Sequence, residues 1–504
     1  MALGQRVVGG NLEILESLEQ SLGLGRDTFT SEQIGHDSME QAVSAIRSFL
    51  EVLKPYALPA RQVRIVATSA VREARNGTEF TDRVLIATGA QVDVLDEADV
   101  SRLTYLAVRP QLASERFFRQ SDTFVIEVGG GNTQTILFRK GRVSAAHEYR
   151  LGSLRIERDL QGYQLSAHTE DILREYLLQS VEQIAGAVEP AIRLVMVALG
   201  SELRYVCHQL HPVHVQGQIS KISVQELESF TRSVLAMTPE ETARTHAITM
   251  AAAENMAPAL YVQLAVAKAL RQKFVHVAEG SLRHGILIDL LGDPAWEEEF
   301  RRQVVSSTVA VARRYRVDLK HARHVAGYAN ALLAFLRDRF TFEDRDDVIL
   351  SVAALLHEVG MFVNDRSYHK HSLYLIENSE IFGLGSHDLN LAARVARYHR
   401  RATPKMTHEE YTDMSSQDRV CVTKLAAILR VANALDSLRP NKAFEFDFAV
   451  TGNRLTITVR SQFDLTLTRH HLADRAEMFQ AVFGLRVVLR SGPVPAVAGD
   501  DTED

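Results

Sequence analysis

Apolar residues in this chain first gather in short runs that end at glycine, and later spread out with helical spacing. Between Asp37 and Leu53 the apolar positions Met39, Ala42, Val43, Ile46, Phe49 and Leu50 fall on one face of a helix. Asp37 reads as its N-cap, with Glu40 three residues further on. Upstream, Arg6 to Leu15 reads as the end of one strand, a Gly9-Gly10-Asn11 turn and a second strand. Val63–Ala67 and Val92–Leu95 are short apolar runs of strand type. Phe124–Val128 is the clearest strand, and it runs straight into Gly129-Gly130-Gly131. Leu194–Leu199 ends at Gly200, and Phe274–Val277 leads to Glu279-Gly280. Strands alternating with helices predict an α/β region. Gly292-Asp293-Pro294 marks a boundary. From Trp296 to Leu438 the spacing is helical almost throughout. After Pro440 it predicts two strands around Gly452-Asn453, a helix over Ala476–Phe483 and a last strand at Leu485–Leu489. The tail from Ser491, with its prolines and terminal acids, reads as disordered.

Composition narrows the class without choosing a function. The 504 residues are 46% apolar and 24% charged, ordinary for a globular protein of three or four domains. No apolar run is long enough to span a bilayer, and no secretory leader is apparent, so a cytoplasmic location is expected. The only cysteines are Cys207 and Cys421, which have no metal-site spacing and read as buried reduced thiols. A net charge of −6 argues against a nucleic-acid coat. A polyanionic ligand therefore needs a local basic cluster or a metal.

The glycine turn supplies candidate chemistry. Gly129, Gly130 and Gly131 let the backbone approach a phosphate closely and aim N–H groups at it. Asn132 and Thr133 add side-chain donors. Glu127, two residues before the first glycine, stands at a strand end where its carboxylate can meet Mg²⁺.

These residues carry a resemblance. Ile126-Glu127-Val128-Gly129-Gly130-Gly131-Asn132-Thr133-Gln134 is similar to the signature Asp-Ile-Gly-Gly-Gly-Ser-Thr-Glu of the exopolyphosphatase / guanosine-pentaphosphate phosphohydrolase family. Val66 to Asn76, Leu151 to Arg155 and Glu279 to Gly285 resemble three further blocks. Leu355 to Gly360, His369 to Ser372 and Arg397 to Arg400 resemble the helical domain of its longer members. The resemblance implies an α/β fold of two actin-like (ribonuclease-H-like) lobes, then an all-α HD-type domain and a small α+β C-terminal domain. The corresponding segments are 1–115, 116–292, 293–440 and 441–490, with 491–504 as a disordered acidic tail. It implies release of terminal phosphate from inorganic polyphosphate, or of the 5′ phosphate from pppGpp, between the lobes with Mg²⁺. It makes Arg72 a phosphate clamp, since a guanidinium holds two oxygens at once. A homodimer is common among its long members.

The pattern also departs from that family. Members open with an Asp-x-Gly-Ser-Asn-Ser phosphate loop. This chain begins in the hairpin that follows it, so a start codon placed too far downstream is the favoured expectation. In the block that carries the catalytic glutamate, Arg102 fixes the register and puts Val100 at that position. Asp99 and Glu97 are the nearby acids that can substitute. The family's signature Asp, Ser and final Glu are Glu127, Asn132 and Gln134 here. Gly200-Ser201-Glu202 stands where members carry a Gly-Thr turn.

Nineteen histidines are present, several of them after residue 320. His324, the pair His357-Glu358, and Asp436 follow the order of an HD-type metal site and predict a second divalent ion. His371 and His399 are further candidate ligands, for phosphate or for metal. In the family this domain usually lacks a complete site and serves as a polyphosphate channel or dimer surface. Arg394, Arg397, Arg400, Arg401 and Lys405 form the strongest local basic patch. Three functions follow: a Mg²⁺-dependent phosphohydrolase at the cleft, a degenerate regulator that binds polyphosphate or (p)ppGpp without turnover, and an HD-type phosphohydrolase.

Overall fold

The strand with the most apolar sequence lies inside the largest sheet. The computed structural model describes residues 1–6, 12–59, 62–160, 169–188, 193–211, 218–291, 294–400, 402–437, 444–460 and 465–492. The expected Gly9-Gly10-Asn11 turn, Gly292, Asp293, Arg401, Pro440 and the tail beyond 492 lie outside these residues. The chain divides into two compact units, Met1–Phe300 and Arg301–Asp504.

In the first unit, β1 (Ala2–Arg6) and β2 (Leu12–Ser17) pair antiparallel, and β3 (Ile65–Ala67) and β4 (Val92–Val94) pair in parallel. The main sheet holds β5 (Asp122–Val128), β6 (Thr133–Arg139), β7 (Arg142–Tyr149), β8 (Leu194–Leu199), β9 (Ser220–Ser223) and β10 (Phe274–Val277). Its order is β7-β6-β5-β8-β10-β9. The trio β5, β8 and β10 runs parallel, so their carboxyl ends share one edge of the sheet. In open α/β sheets that edge is where ligands bind.

The core explains the strand pattern. Phe124, Ile126 and Val128 of β5 pack with Met196 and Ala198 of β8 and with Leu260 and Leu264 of the helix Met250–Ala269. Each fully buried side chain of this kind contributes roughly 1.5–3 kcal/mol. A smaller core joins Met39, Ala42 and Val43 to Val71, Phe80, Val84 and Val92. The first long helix spans His36–Leu53, with Gly35 at the N-cap. The expected cap, Asp37, instead lies in its first turn, because Asp27 Oδ2 already accepts the Gly35 N–H at 2.9 Å. Asp37 there still favours the positive end of the helix dipole.

The second unit is helical up to residue 437, with long segments at Leu319–Arg337, Asp346–Leu356, Ser386–Arg397 and Ser416–Leu435. A sheet of three strands follows: β11 (Phe446–Thr451), β12 (Arg454–Val459) and β13 (Arg486–Ser491). The turn between β11 and β12 uses Gly452 at φ 59°, as its sequence predicts. Between β12 and β13 lie the expected helix, at Glu477–Phe483, and an unexpected one at Thr466–Arg475. The latter buries only Thr468 and Leu472, too little apolar periodicity to read from sequence. Among the described residues no helix is long and apolar enough to cross a membrane.

Candidate functional site

The glycine turn between β5 and β6 is interlocked with a second turn after β7. The Ser153 and Leu154 N–H groups donate to the carbonyls of Gly129 (3.0 Å) and Gly130 (2.9 Å), and Arg155 Nε donates to that of Gly131 (2.7 Å). Backbone crowding requires glycine at residue 152, and at residue 131 a larger residue would have to displace the Phe29 ring. A Cβ on residue 131 would come 2.2 Å from Phe29 Cζ, and one on residue 152 would come 2.3 Å from the Gly130 oxygen. The Gly129 N–H donates to the Asn132 carbonyl at 2.9 Å. Among the described residues, the N–H groups of Gly130, Gly131 and Asn132 have no hydrogen-bond partner. Thr133 is fully buried, and its hydroxyl donates to the Leu151 carbonyl at 2.5 Å. That residue therefore braces the second turn.

Beside this turn opens a cavity of about 680 Å³, lined by Arg72, Arg75, Arg150, Arg155 and Arg158, with Glu32, Glu73, Glu97, Asp159 and Asn132. Each of these arginines meets a carboxylate. Arg72 Nη2 lies 2.9 Å from Glu148 Oε1, and its Nη1 donates to the Leu95 carbonyl at 2.8 Å. Arg150 and Arg155 share Glu73, Arg75 meets Glu32, and Arg158 meets Asp159. Burial pushes the Glu73 carboxyl up, but the Arg155 hydrogen bond and charge, with Arg150 and Asn132, hold it below the usual range.

Glu148 was not singled out by the sequence. Its side chain is 6% exposed and accepts from Arg72, Asn132 Nδ2 and Gln134 Nε2, the last at 3.4 Å. Gln134 and Glu148 are cross-strand partners on β6 and β7. The available signal was positional: an acid in β7 at the register of Gln134.

The other expected acids separate. Glu97 opens the helix Glu97–Ser114 and lines the cavity. Asp99 does not line it. Its Oδ1 lies 3.8 Å from Arg102 Nε, and Arg102 in turn grips Asp289 through two bonds of 2.5 and 3.0 Å. Arg102 thus ties that helix to Leu282–Leu291. Gly285 lets the two helices touch, since a Cβ there would lie 2.0 Å from the Leu103 oxygen. Val100 is also absent from the lining. Glu127, next to last in β5, has Oε2 accepting from Thr104 Oγ1 at 3.3 Å. Desolvation holds its carboxyl above the usual range, and the Thr104 bond and the Arg204 charge offset this only in part. The Glu202 carboxylate adds to the upward push. Gly200 before it sits at φ 130°, a conformation open essentially to glycine alone.

In the second unit the expected histidine set is redrawn. His321 and His324 are one turn apart on Leu319–Arg337, and both Nδ1 atoms meet Asp436, at 2.6 and 3.0 Å. It is His321, rather than the expected His324, that groups with His357 and Glu358. His399 is fully buried, with Nδ1 on the Ala396 carbonyl and Nε2 facing the Tyr368 hydroxyl at 3.1 Å. The basic patch is also redistributed. Arg397 is only 6% exposed, Arg394 pairs with Glu377 at 2.7 Å, and Arg400 stacks over Tyr368. Arg397 therefore faces inward while Arg400 is exposed, and the patch is not a continuous solvated surface.

Taken as a class, this is an α/β protein with an arginine-lined cleft beside a glycine turn at the carboxyl edge of parallel strands. The chain belongs to the Ppx/GppA phosphatase family: residues 5–293 match that family, and residues 302–478 match Ppx/GppA phosphatase, domain III. It is similar to a guanosine-5'-triphosphate,3'-diphosphate pyrophosphatase of Photobacterium profundum, 23% identical over 479 residues, 94% of this chain and 92% of that one. Among solved structures it is similar to an exopolyphosphatase from Cytophaga hutchinsonii, with a TM-score of 0.51 at 18% identity, over 57% of this chain and 93% of that one. A Ppx/GppA family member from Aquifex aeolicus has a TM-score of 0.48 at 18% identity, over 57% and 92% of the two chains. The likeness to the exopolyphosphatase shows the fold, the actin-like fold of this family.

Proposed function

We propose that this chain hydrolyses terminal phosphoanhydride bonds at the arginine-lined cleft, taking inorganic polyphosphate, pppGpp or both. The single observation that carries the reading is the cluster of five arginines around the cavity beside the glycine turn. Phosphoryl transfer depends on positioning and charge neutralisation more than on a covalent partner. Arg72 clamps a phosphate oxygen, and the N–H groups of Gly130, Gly131 and Asn132 receive another. Glu127, the carboxylate two residues before the glycine turn, would hold Mg²⁺. Its desolvated carboxyl, pressed by Glu202, is held above the usual range, and a cation there relieves both effects. When bound, the ion neutralises phosphoryl oxygens.

Glu148 is the carboxylate for the attacking water. Its cross-strand partner is Gln134, where the family signature has a glutamate, so the acid has moved across one rung of the sheet. A phosphate oxygen arriving at Arg72 competes with Glu148 for the guanidinium and frees the carboxylate to accept the water proton. The water oxygen bonds to phosphorus as the bridging P–O bond breaks, and the electron pair leaves with the shortened chain. Glu97 lines the cavity itself, whereas Glu148 reaches it through Arg72 and Asn132, which line it. The second unit is proposed as an HD-type helical domain followed by a small α+β domain, and the cytoplasm as the place of action. The two buried free cysteines, Cys207 and Cys421, suit a reducing compartment.

One observation favours the second reading, binding without turnover: Val100 and Gln134 offer no carboxylate. Phosphate release with Mg²⁺, assayed beside calorimetric binding of polyphosphate and pppGpp, decides between the two. The expected result is release from at least one substrate. Glu148→Gln should lower kcat about 10²–10⁴-fold while binding persists. Arg72→Ala should weaken binding by about 1.5–3 kcal/mol. Tight binding with no release by the wild type would establish the regulator instead.

A further inference from the structure

A second concentration of donor atoms lies in the helical unit, independent of the cleft. We propose that His321, His357 and Glu358 bind one divalent transition-metal ion, with Asp436 as the positioning residue that orients His321. The tautomers carry the argument. His321 Nδ1 is 2.6 Å from Asp436 Oδ2, so that nitrogen holds the ring proton and Nε2 presents its lone pair. His357 Nδ1 is 2.7 Å from the Ala354 carbonyl, which can only accept, so its Nε2 likewise presents a lone pair. His321 is 3% exposed, and its Nε2 has no hydrogen-bond partner among the described residues. That nitrogen lies 3.8 Å from Glu358 Oε1, too far to share a proton.

One donor atom from each of the three residues lies within 4.8 Å of the others. Ligands at about 2.0–2.2 Å from one ion sit about 3.4 Å apart, so the group closes with shifts of roughly an ångström. Two imidazole nitrogens and one carboxylate select a transition metal over Mg²⁺ or Ca²⁺. Each Asp436 oxygen already faces a histidine nitrogen, Oδ2 that of His321 and Oδ1 that of His324, which places this carboxylate behind the ligating ring. A carboxylate behind a ligating histidine fixes the ring and raises its basicity. The backbone is also fixed at the site. Ser372 Oγ donates to the His357 carbonyl at 2.9 Å and accepts the Gly360 N–H at 3.0 Å. A Cβ on Gly360 would fall 2.1 Å from the Tyr368 oxygen, so the turn after Glu358 packs too closely for any other residue.

The test uses the full-length chain, stripped with a chelator and titrated with Co²⁺ and with Mn²⁺ in excess Mg²⁺. One equivalent of Co²⁺ should bind per chain, with the visible absorption of a nitrogen- and oxygen-ligated ion. His321→Ala and His357→Ala should lose that equivalent, and Asp436→Asn should weaken it about 10- to 100-fold. His324→Ala should keep it, which separates this set from the one the sequence order suggests. Circular dichroism checks the fold of each variant. If an alanine variant does not fold, pulsed paramagnetic resonance of the Mn²⁺-loaded wild type decides, with coupling to two histidine nitrogens expected. Complete displacement by Mg²⁺, unchanged binding by folded His321→Ala, or absence of nitrogen coupling would each overturn the proposal.

Discussion

In the cleft of the first unit, guanidinium and carboxylate groups neutralise one another in a cavity open to solvent. Arg72 meets Glu148, Arg155 and Arg150 meet Glu73, and Arg75 meets Glu32. In the second unit, His321, His357 and His399 are buried, and each Nδ1 is satisfied by a carbonyl or carboxylate oxygen. The first arrangement can trade internal partners for an anion, because each arginine keeps its charge and exchanges one oxygen ligand for another. The second offers imidazole lone pairs, which take a proton, a hydrogen-bond donor (Tyr368 at His399) or a metal ion. Two regions of one chain thus hold ionisable side chains in opposite arrangements, and the ligands proposed for them are of opposite sign.

The sharpest way to break the cleft half of this comparison is Arg155→Ala. Arg155 is 8% exposed, donates to the Gly131 carbonyl, pairs with Glu73 and lies over the Phe29 ring at 4.4 Å. Its removal leaves the Glu73 carboxylate with only the exposed Arg150 and Asn132, and loosens the glycine turn. The expected loss of stability is about 3 kcal/mol by urea unfolding, together with loss of polyphosphate binding. Arg155→Lys should restore little, because an ammonium cannot reach both Gly131 and Glu73 as the fork does. A folded Arg155→Ala protein of wild-type stability would show that the interlocked turns do not depend on this residue.

The sequence made the strands legible where they are fully buried. Phe124–Val128 and Leu194–Leu199 announce themselves as apolar runs ending at glycine, and the helices of the second unit by their spacing. Side-chain direction within a helix was less legible. Asp99 and Glu97 look equivalent in sequence, yet only Glu97 lines the cavity, since Arg102 and its partner Asp289 draw Asp99 elsewhere. Likewise His321 and His324 differ by one turn and share Asp436, and the order of motifs alone does not tell which of the two groups with His357 and Glu358. Glu148 was hidden for another reason. Its importance comes from cross-strand register, which a pattern along one strand does not contain.

The two regions should also respond to pH with opposite sign. Glu127 has its carboxyl raised by desolvation, so the native state holds its proton longer than the unfolded chain does. Its contribution is greatest at acid pH and is lost as pH rises through the raised value. Glu127→Gln, in chelator, should therefore gain on the wild type as pH rises above the ordinary carboxylate range. His369 is the reverse. Burial, with the charges of Arg397, Arg400 and Lys370, lowers it to about 4. Its contribution is present above the ordinary histidine value of 6.5 and is lost as pH falls toward about 4. Wild type should lose its advantage over His369→Gln across that window. Hydrogen exchange, read at β5 for one variant and at Tyr368–Glu377 for the other, separates the units. His276 and His284 in the first unit are also lowered by burial, so differences between wild type and variant carry the test rather than whole-chain melting. Profiles of the same sign for both variants would remove this part of the comparison.

The smallest effect should come from Asp99→Asn, and it bears on the cleft directly. Asp99 is an acid one residue from Val100, where the family block has its catalytic glutamate, and burial holds its carboxyl above the usual range. Both features invite the role of a base. Its geometry does not support that role. The carboxylate is 44% exposed and touches Arg102 at 3.8 Å, and neither residue lines the cavity, whereas Glu148 is held by Arg72 and Asn132, which do. Arg102 keeps its two bonds to Asp289 when Asp99 is neutralised, so the helix anchor survives. Asp99→Asn should change stability by no more than about 0.5 kcal/mol, as expected for a surface position. Its phosphate release should match the wild type, while Glu148→Gln falls sharply and Glu97→Gln, at the cavity itself, falls between them. Steady-state release of phosphate with Mg²⁺ from the three variants ranks these acids. A collapse of turnover in Asp99→Asn with Glu148→Gln unaffected would move the reacting water from β7 to the start of the helix Glu97–Ser114, with Arg102 rather than Arg72 as the neighbouring cation.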